Sequence, residues 1–282
     1  MKPERSYVFS DGKRLDIGKK TLIMGILNVT PDSFSDGGKW NAVDRALAHA
    51  KEMIADGADI IDIGAESSRP GFVPVSAEEE MERLLPFLDA LLPHITVPVS
   101  IDTFKSKTAA AALERGVHIV NDIWGLQYEK EPGEMAAVAA AYNAPVVAMH
   151  NQHGTEYGDM IADMKRFFEK TWEIADKAGI SQEKLILDPG IGFGKTAEQN
   201  MEVLRRMKEL TVLPYPWLLG ASRKGFIGKA LDLPVTERME GTGAVCVMGQ
   251  LGGCQIMRVH DVKPIKRMCR MIDAIESGDG YE

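Results

Sequence analysis

Cysteine is scarce in this sequence: Cys246, Cys254 and Cys269 are all it has. An odd number, late in the chain and without CxxC or His/Cys spacing, argues against a disulfide framework or a zinc site and predicts reduced, buried thiols. Basic charge is in short supply too. The formal net charge is −8, whereas a nucleic-acid binder carries a basic surplus or stripe. Nucleic acid is therefore not expected as a partner, and an anionic ligand would have to be met by locally gathered cations. No apolar run is long enough to span a bilayer, and the start MKPERSYVFSDGK lacks the apolar core of a secretory signal. A protein of the cytoplasm, without membrane contact, is expected. Linker-like Ser/Gly/Pro tracts and low-complexity stretches are missing as well, so residues 1–282 are read as one domain.

A phosphate loop is also missing, although one stretch imitates it. Asp188 to Thr196 reads DPGIGFGKT and ends in GKT, but a Walker A loop needs a glycine five positions before Gly194, and Pro189 stands there. These glycines instead predict a close strand-to-helix turn that sets Phe193 over a site.

What the chain does have is rhythm. With 45% hydrophobic and 26% charged residues it has the composition of an ordinary globular core. Tyr7 to Ile17 reads as two short extended runs around Ser10-Asp11-Gly12, a hairpin positioned to plug a barrel floor. Short apolar runs then alternate with amphipathic stretches about every 30 residues, the pattern of parallel strands with crossover helices. The expected strands are Leu22–Leu27, Ile60–Ile63, Val97–Ile101, His118–Val120, Val146–Met149, Leu185–Leu187, Trp217–Gly220 and Gln255–Val259. Between them lie helical patterns in which Ser76 and Ser106 are placed to cap. About eight units predict an α/β fold, a single (β/α)8 TIM barrel with a short N-terminal β-hairpin; a doubly wound open sheet is the alternative.

Each expected strand ends in reactive groups: Asn28; Glu66 to Arg69; Asp102; Asn121-Asp122; His150; Asp188; Ser222-Arg223-Lys224; and Arg258 with His260. Any one of them alone reads as a cap or a loop hydrogen bond. Together they point to the C-terminal rim of a barrel, where side chains from separate strands meet one ligand. Asp102, Asp188 and Asn121 suit a flat heterocycle with several N–H donors, such as the edge of a 2-amino-4-oxo pterin. Arg258 can lie on a ring face and Lys224 can donate to ring oxygen or nitrogen. Arg69, Arg258 and His260 can meet a phosphate ester.

Taken in order, MGILNVTPDSFSDGG at Met24–Gly38, DIGAESSRPG ending at Gly71, SIDT, NDIWG, MH, DPGIGFGK, GASRKGFIG and RVHDV at Arg258–Val262 resemble the dihydropteroate synthases over nearly the whole chain. The resemblance implies condensation of 6-hydroxymethyl-7,8-dihydropterin diphosphate with 4-aminobenzoate in folate biosynthesis, by a dissociative substitution, in a sulfonamide-target enzyme that uses Mg2+ and forms a homodimer. It implies a pterin pocket of Asp102, Asn121, Asp188, Lys224 and Arg258, with Asp102, Lys224 and Arg258 catalytic. It implies a diphosphate site of Asn28, Arg69, Arg258 and His260, with Asn28 near the magnesium ion. Phe34, Ser68, Pro70, Phe193, Ser222 and Lys224 match positions around the aminobenzoate, and Asp32 to Ser35 and Ser67 to Gly71 match two loops that close over the intermediate. Two features depart from the common pattern. Asn151 to Tyr157 replaces a basic MRGT-like run, and Ser68 replaces a threonine. The rival readings are a methyltransferase that passes a methyl group from methyltetrahydrofolate to a corrinoid protein, and a non-catalytic pterin-binding paralogue.

Overall fold

The computed structural model describes residues 3–30, 38–66 and 75–278. Strands β1 (Arg5–Val8) and β2 (Arg14–Ile17) form the expected antiparallel hairpin, with Tyr7 opposite Leu15. Eight strands follow: β3 (Leu22–Asn28), β4 (Ile60–Gly64), β5 (Val99–Asp102), β6 (Ile119–Asp122), β7 (Val146–Met149), β8 (Leu185–Asp188), β9 (Leu218–Leu219) and β10 (Ile256–Val259). They lie in the order β8-β7-β6-β5-β4-β3-β10-β9. A parallel bridge between Leu187 and Trp217, with Leu187 N–H donating to Pro216 O at 2.9 Å, joins the two ends and closes the barrel. Closure excludes the open-sheet alternative.

Strand side chains alternate between two faces, and here each face has its own core. Ile23, Ile61, Val99, Val120, Val146, Leu185, Leu219 and Met257 point outward into the main cluster with the surrounding helices. Met24, Ile60, Ile119, Val147, Ile186, Leu218 and Ile256 point inward and pack with Tyr7, Leu15 and Ile17 of the hairpin. The hairpin thus closes the floor with its own apolar side chains, as its position before the strand rhythm suggested. Tyr7 adds a tether, donating from Oη to Glu183 O at 2.6 Å.

Four expectations shift. The strands read as Val97–Ile101 and His118–Val120 run instead over Val99–Asp102 and Ile119–Asp122. Apolar character ends before the hydrogen-bonded ladder does, because Asp102 and Asn121 still pair in register. Trp217–Gly220 shrinks to Leu218–Leu219, with Trp217 in the closing bridge. Ser76 caps helix Ala77–Leu91 by accepting from Glu79 N–H. Ser106 does not cap: Lys105 holds that position, and Ser106 lies inside the first turn of helix Ser106–Glu114. Carboxylates from a later loop and helix take over, Glu131 accepting the Ser106 N–H at 2.7 Å and Glu134 its hydroxyl at 3.0 Å.

Cys246, Cys254 and Cys269 are free and buried. Among the described residues no helix is long and apolar enough to cross a membrane.

Candidate active site

The alternation that builds the apolar floor places a polar layer above it. β4 turns Asp62 inward, β5 Asp102, β6 Asn121, β8 Asp188 and β10 Arg258, which are 0%, 9%, 4%, 4% and partly exposed respectively. Arg258 is the hub. Its Nε donates to Asp62 Oδ2 at 2.6 Å and its Nη2 to Asp102 Oδ2 at 2.6 Å, while Asn121 Nδ2 donates to the same Asp62 oxygen at 3.1 Å. Two bonds from separate nitrogens fix the guanidinium plane as well as its place. Burial works against its charge, but Asp62, Asp102 and Asp188 outweigh burial and hold Arg258 firmly protonated.

Asp188 approaches from the other side of the barrel. A Cβ on Gly220 would stand 3.4 Å from Asp188 Oδ2 and 3.9 Å from Arg258 Cδ, so carboxylate and arginine share one space. Asp188 is oriented by its own turn, Oδ1 accepting Gly190 N–H at 2.7 Å. That turn admits only glycine: Gly190 has φ 66°, and a Cβ there would meet His150 O at 1.9 Å. Lys224 crosses Gly192, where a Cβ would stand 2.9 Å from its Cδ, and puts Nζ 4.1 Å from the centre of the Phe193 ring. It lies close enough to both Asp102 and Asp188 to favour their charged forms.

Burial raises the carboxyls of this layer. Asp102 is pushed up to about 7, with Asp62 and Glu80 adding to the effect of burial and Arg258 and Lys224 opposing it. Asp188 is pushed up to about 6 by burial against Gly190 N–H, Lys224 and Arg258. Such displaced carboxyls in a cleft with specific charge partners mark a functional site.

Phe193 shares an apolar wall with Phe104, Ile123, Met149, Trp124 and Tyr128, which stand at the end of a strand or in the loops that follow one. Ser222 and His260 form a pair, Ser222 Oγ lying 2.9 Å from His260 Nδ1 and accepting the His260 N–H at 3.2 Å. Asn28 ends β3 in register with Gly64 of β4. Phe34, Ser68, Arg69 and Pro70, with the loops Asp32 to Ser35 and Ser67 to Gly71, lie outside the described residues.

Some strand-end residues serve local structure instead. Asp122 accepts the N–H groups of Trp124 and Leu126 at 2.8 and 2.7 Å. Arg223 makes a two-pronged pair with Asp261. His150 is buried with its Nδ1 3.0 Å from Lys195 Nζ, and burial followed by that cation holds it well below the ordinary histidine value. Lys195 also donates to Gly190 O and Phe193 O, each at 3.1 Å, so it knits the glycine turn from beneath. The atypical stretch packs on the same turn: Tyr157 Oη donates to Gly194 O at 2.9 Å and Gln199 Nε2 to Thr155 O at 2.8 Å. Two residues escaped the sequence reading. Asp62 sits two positions before the end of its strand and Lys195 looked like part of a failed phosphate motif; the alternation of β4 could have exposed the first.

Among the described residues no three His, Cys, Asp or Glu side chains gather to hold a metal ion. The carboxamide oxygen of Asn28 is a hard donor suited to magnesium, which commonly keeps waters and substrate phosphates as its other ligands.

The chain matches the family described as pterin binding enzyme over residues 24–260. It is 50% identical over 266 residues to the dihydropteroate synthase of Bacillus subtilis, covering 94% of this chain and 92% of that one. Its fold superposes with TM-score 0.89 and 52% identity on the dihydropteroate synthase of Clostridium difficile determined in the presence of pteroic acid, over 93% of this chain and 98% of the other. The Xanthomonas albilineans dihydropteroate synthase with 4-aminobenzoic acid gives TM-score 0.89 at 35% identity, over 98% and 99% of the two chains.

Proposed function

This chain belongs to the pterin-binding enzyme family, among the dihydropteroate synthases, and we propose on that footing how the mouth of its barrel joins 6-hydroxymethyl-7,8-dihydropterin diphosphate to 4-aminobenzoate and releases pyrophosphate. The observation that carries the reading is the meeting of Asp102, Asp188 and Asn121 with Arg258 in one polar layer. Asp188 and Asn121 face the N–H donors of the pterin edge, because a buried carboxylate accepts such donors strongly. Lys224 donates to the ring from beside Phe193, and Arg258, its plane held by Asp62 and Asp102, offers a face to the ring and a cation to the diphosphate.

An arylamine is a weak nucleophile, so ionisation of the pterin methylene ahead of attack suits this site. Charge develops on the departing diphosphate, and Arg69, Arg258 and His260 stand to offset it. Asn28 would hold the magnesium ion, which neutralises and orients diphosphate oxygens when bound. Asp102, in its charged form, stabilises the cationic pterin. The apolar wall of Phe193 holds the aminobenzoate and keeps water from quenching the cation; the family resemblance assigns Ser222, Phe34, Ser68 and Pro70 to the same substrate.

One barrel domain carries all of this. The groove lined in part by Leu204, Met207, Val247, Met248 and Leu251, of which Met248 and Leu251 are exposed, supports a homodimer, since exposed apolar surface marks an association site. Three free buried thiols favour a reducing cytoplasm.

The test is to mix protein, dihydropterin diphosphate and 4-aminobenzoate with and without magnesium. Dihydropteroate and pyrophosphate in equal amounts are expected. Pterin binding with neither product would leave a non-catalytic paralogue, and methyl transfer to a corrinoid protein without pyrophosphate would identify the other rival.

A further inference from the structure

The turn after β8 carries two groups of the site, Asp188 at its start and Phe193 near its end, yet it has little packing of its own to keep its shape. Gly190, Gly192 and Gly194 leave alternate positions without a side chain, and glycine is the residue that loses most freedom on ordering. Much of the order comes from Lys195, which is only 9% exposed. A lysine ammonium has three protons to donate, and three acceptors surround this one: Gly190 O and Phe193 O, each at 3.1 Å, and His150 Nδ1 at 3.0 Å. His150 is itself held, its N–H donating to Asp188 O at 2.9 Å and its ring packed among Tyr157, Phe167 and Phe168.

Both carbonyls belong to residues that set the site. Gly190 is the residue whose N–H fixes Asp188 Oδ1 at 2.7 Å, and Phe193 carries the ring that Lys224 Nζ approaches to 4.1 Å of its centre. One nitrogen therefore ties the carboxylate facing the pterin edge to the ring on the aminobenzoate side. The three acceptors are neutral groups, His150 being held well below the ordinary histidine value. Burying an ammonium on neutral partners is costly, so an apolar side chain would serve bare stability better. The titratable groups facing it are His150 after β7, Asp188 at the end of β8 and Lys224 after β9. Burial pushes Lys195 down to about 7 against the pull of Asp188, with Lys224 adding to the effect of burial; in return the Lys195 charge favours the ionised form of Asp188.

We propose that Lys195 is a positioning residue for the reaction: from beneath the glycine turn its ammonium sets Asp188 and Phe193 relative to each other, and so sets the pterin against the aminobenzoate. The inference rests on the synthase reading for the identity of the two substrates. A plain structural tie would act on the shape of the turn alone. The ammonium also acts through its charge, which reaches Asp188 and helps keep it able to accept from the pterin.

Lys195→Met tests this in the full-length protein, with steady-state kinetics in 4-aminobenzoate and calorimetry of 6-hydroxymethylpterin, which lacks the diphosphate, across a range of pH. Misplacement of positioning groups by about 1 Å can cost roughly a hundredfold, so kcat/KM for 4-aminobenzoate should fall at least about tenfold. A nearby cation lowers a carboxyl, so without it the midpoint at which acid abolishes plain-pterin binding should move up by about 0.5 pH units or more. Asn200→Ala is the control for shape alone. It frees the Gly192 N–H, which Asn200 Oδ1 accepts at 2.6 Å, removes no charge, and should leave that midpoint at the wild-type value. Should Lys195→Met fold poorly, Lys195→Gln keeps a donor beneath the turn but loses the charge, and the same upward move is expected. Unaltered 4-aminobenzoate kinetics would overturn the proposal, as would a midpoint that stays in place without the charge or moves equally in Asn200→Ala. An inactive wild type that still binds the pterin would instead sink the synthase reading, while the midpoint would still report on Lys195.

Discussion

Asp62 is fully buried and receives hydrogen bonds from both Arg258 and Asn121, which makes one oxygen the common reference for two pocket side chains. Asp102 sits across Arg258 from it, and its charge matters most once the pterin carries a positive one. Asp102→Asn should therefore lower kcat about a hundredfold while plain-pterin affinity falls far less; equal losses in both would assign Asp102 to binding alone. Acid should have a related effect. Asp102 and Asp188 are raised by burial to about 7 and about 6 from 3.8, so both take up protons at higher pH than ordinary carboxylates. The rate needs them charged, and kcat/KM should decline as pH falls through about 7 and more steeply below about 6. The sign for stability is opposite: between the unfolded value and these raised ones the folded protein binds the protons more tightly, so uptake at these two sites favours the fold. A profile level from pH 8 to 5, or a decline that follows loss of circular dichroism, would contradict this. Asp102, Asn121 and Asp188 were legible because each closes an apolar run. Asp62 was not, since hydrophobicity cannot tell an inward polar residue within a strand from a break in the pattern.

At the scale of elements, the strands were recognisable by their apolar centres and misjudged at their ends. Asp102 pairs with Asn121 in register, so the hydrogen-bonded ladder continues where hydrophobicity stops, and polar residues in its last layer become the site. Ser106 shows the converse. A serine before an alanine-rich run has the local signature of a cap, yet Glu131 and Glu134, brought near by the fold, already satisfy it and its amide. The hairpin β1-β2 offers a test of the floor. Leu15 is buried among inward residues of the barrel, and Leu15→Ala should cost about 2–4 kcal/mol of stability in urea unfolding. Its kcat should stay at the wild-type value, because the plug lies beneath the apolar layer and the site above it; a fall in kcat without a fall in stability would place the hairpin in the mechanism.

For the whole molecule, the late helices leave Met248 and Leu251 at 42% and 48% exposure beside a groove, and a homodimer would cover them. Introducing charge there, as Met248→Glu with Leu251→Glu, should convert a sedimenting dimer to a monomer, whereas an unchanged sedimentation coefficient would move the interface elsewhere or remove it. The order of apolar runs, the glycines at turns and the polar residues closing each run already specified a barrel with a reactive rim, because period-two alternation and strand–helix spacing are local properties of the chain. Which of those polar residues face one another was not local. Arg258 meets Asp62 and Asp102 across 196 and 156 positions of sequence, and Lys105 bridges Glu66 and Glu80. Such partnerships exist only once the strands and the loops after them are brought side by side and burial strips water from the charges, which is when paired groups gain their strength.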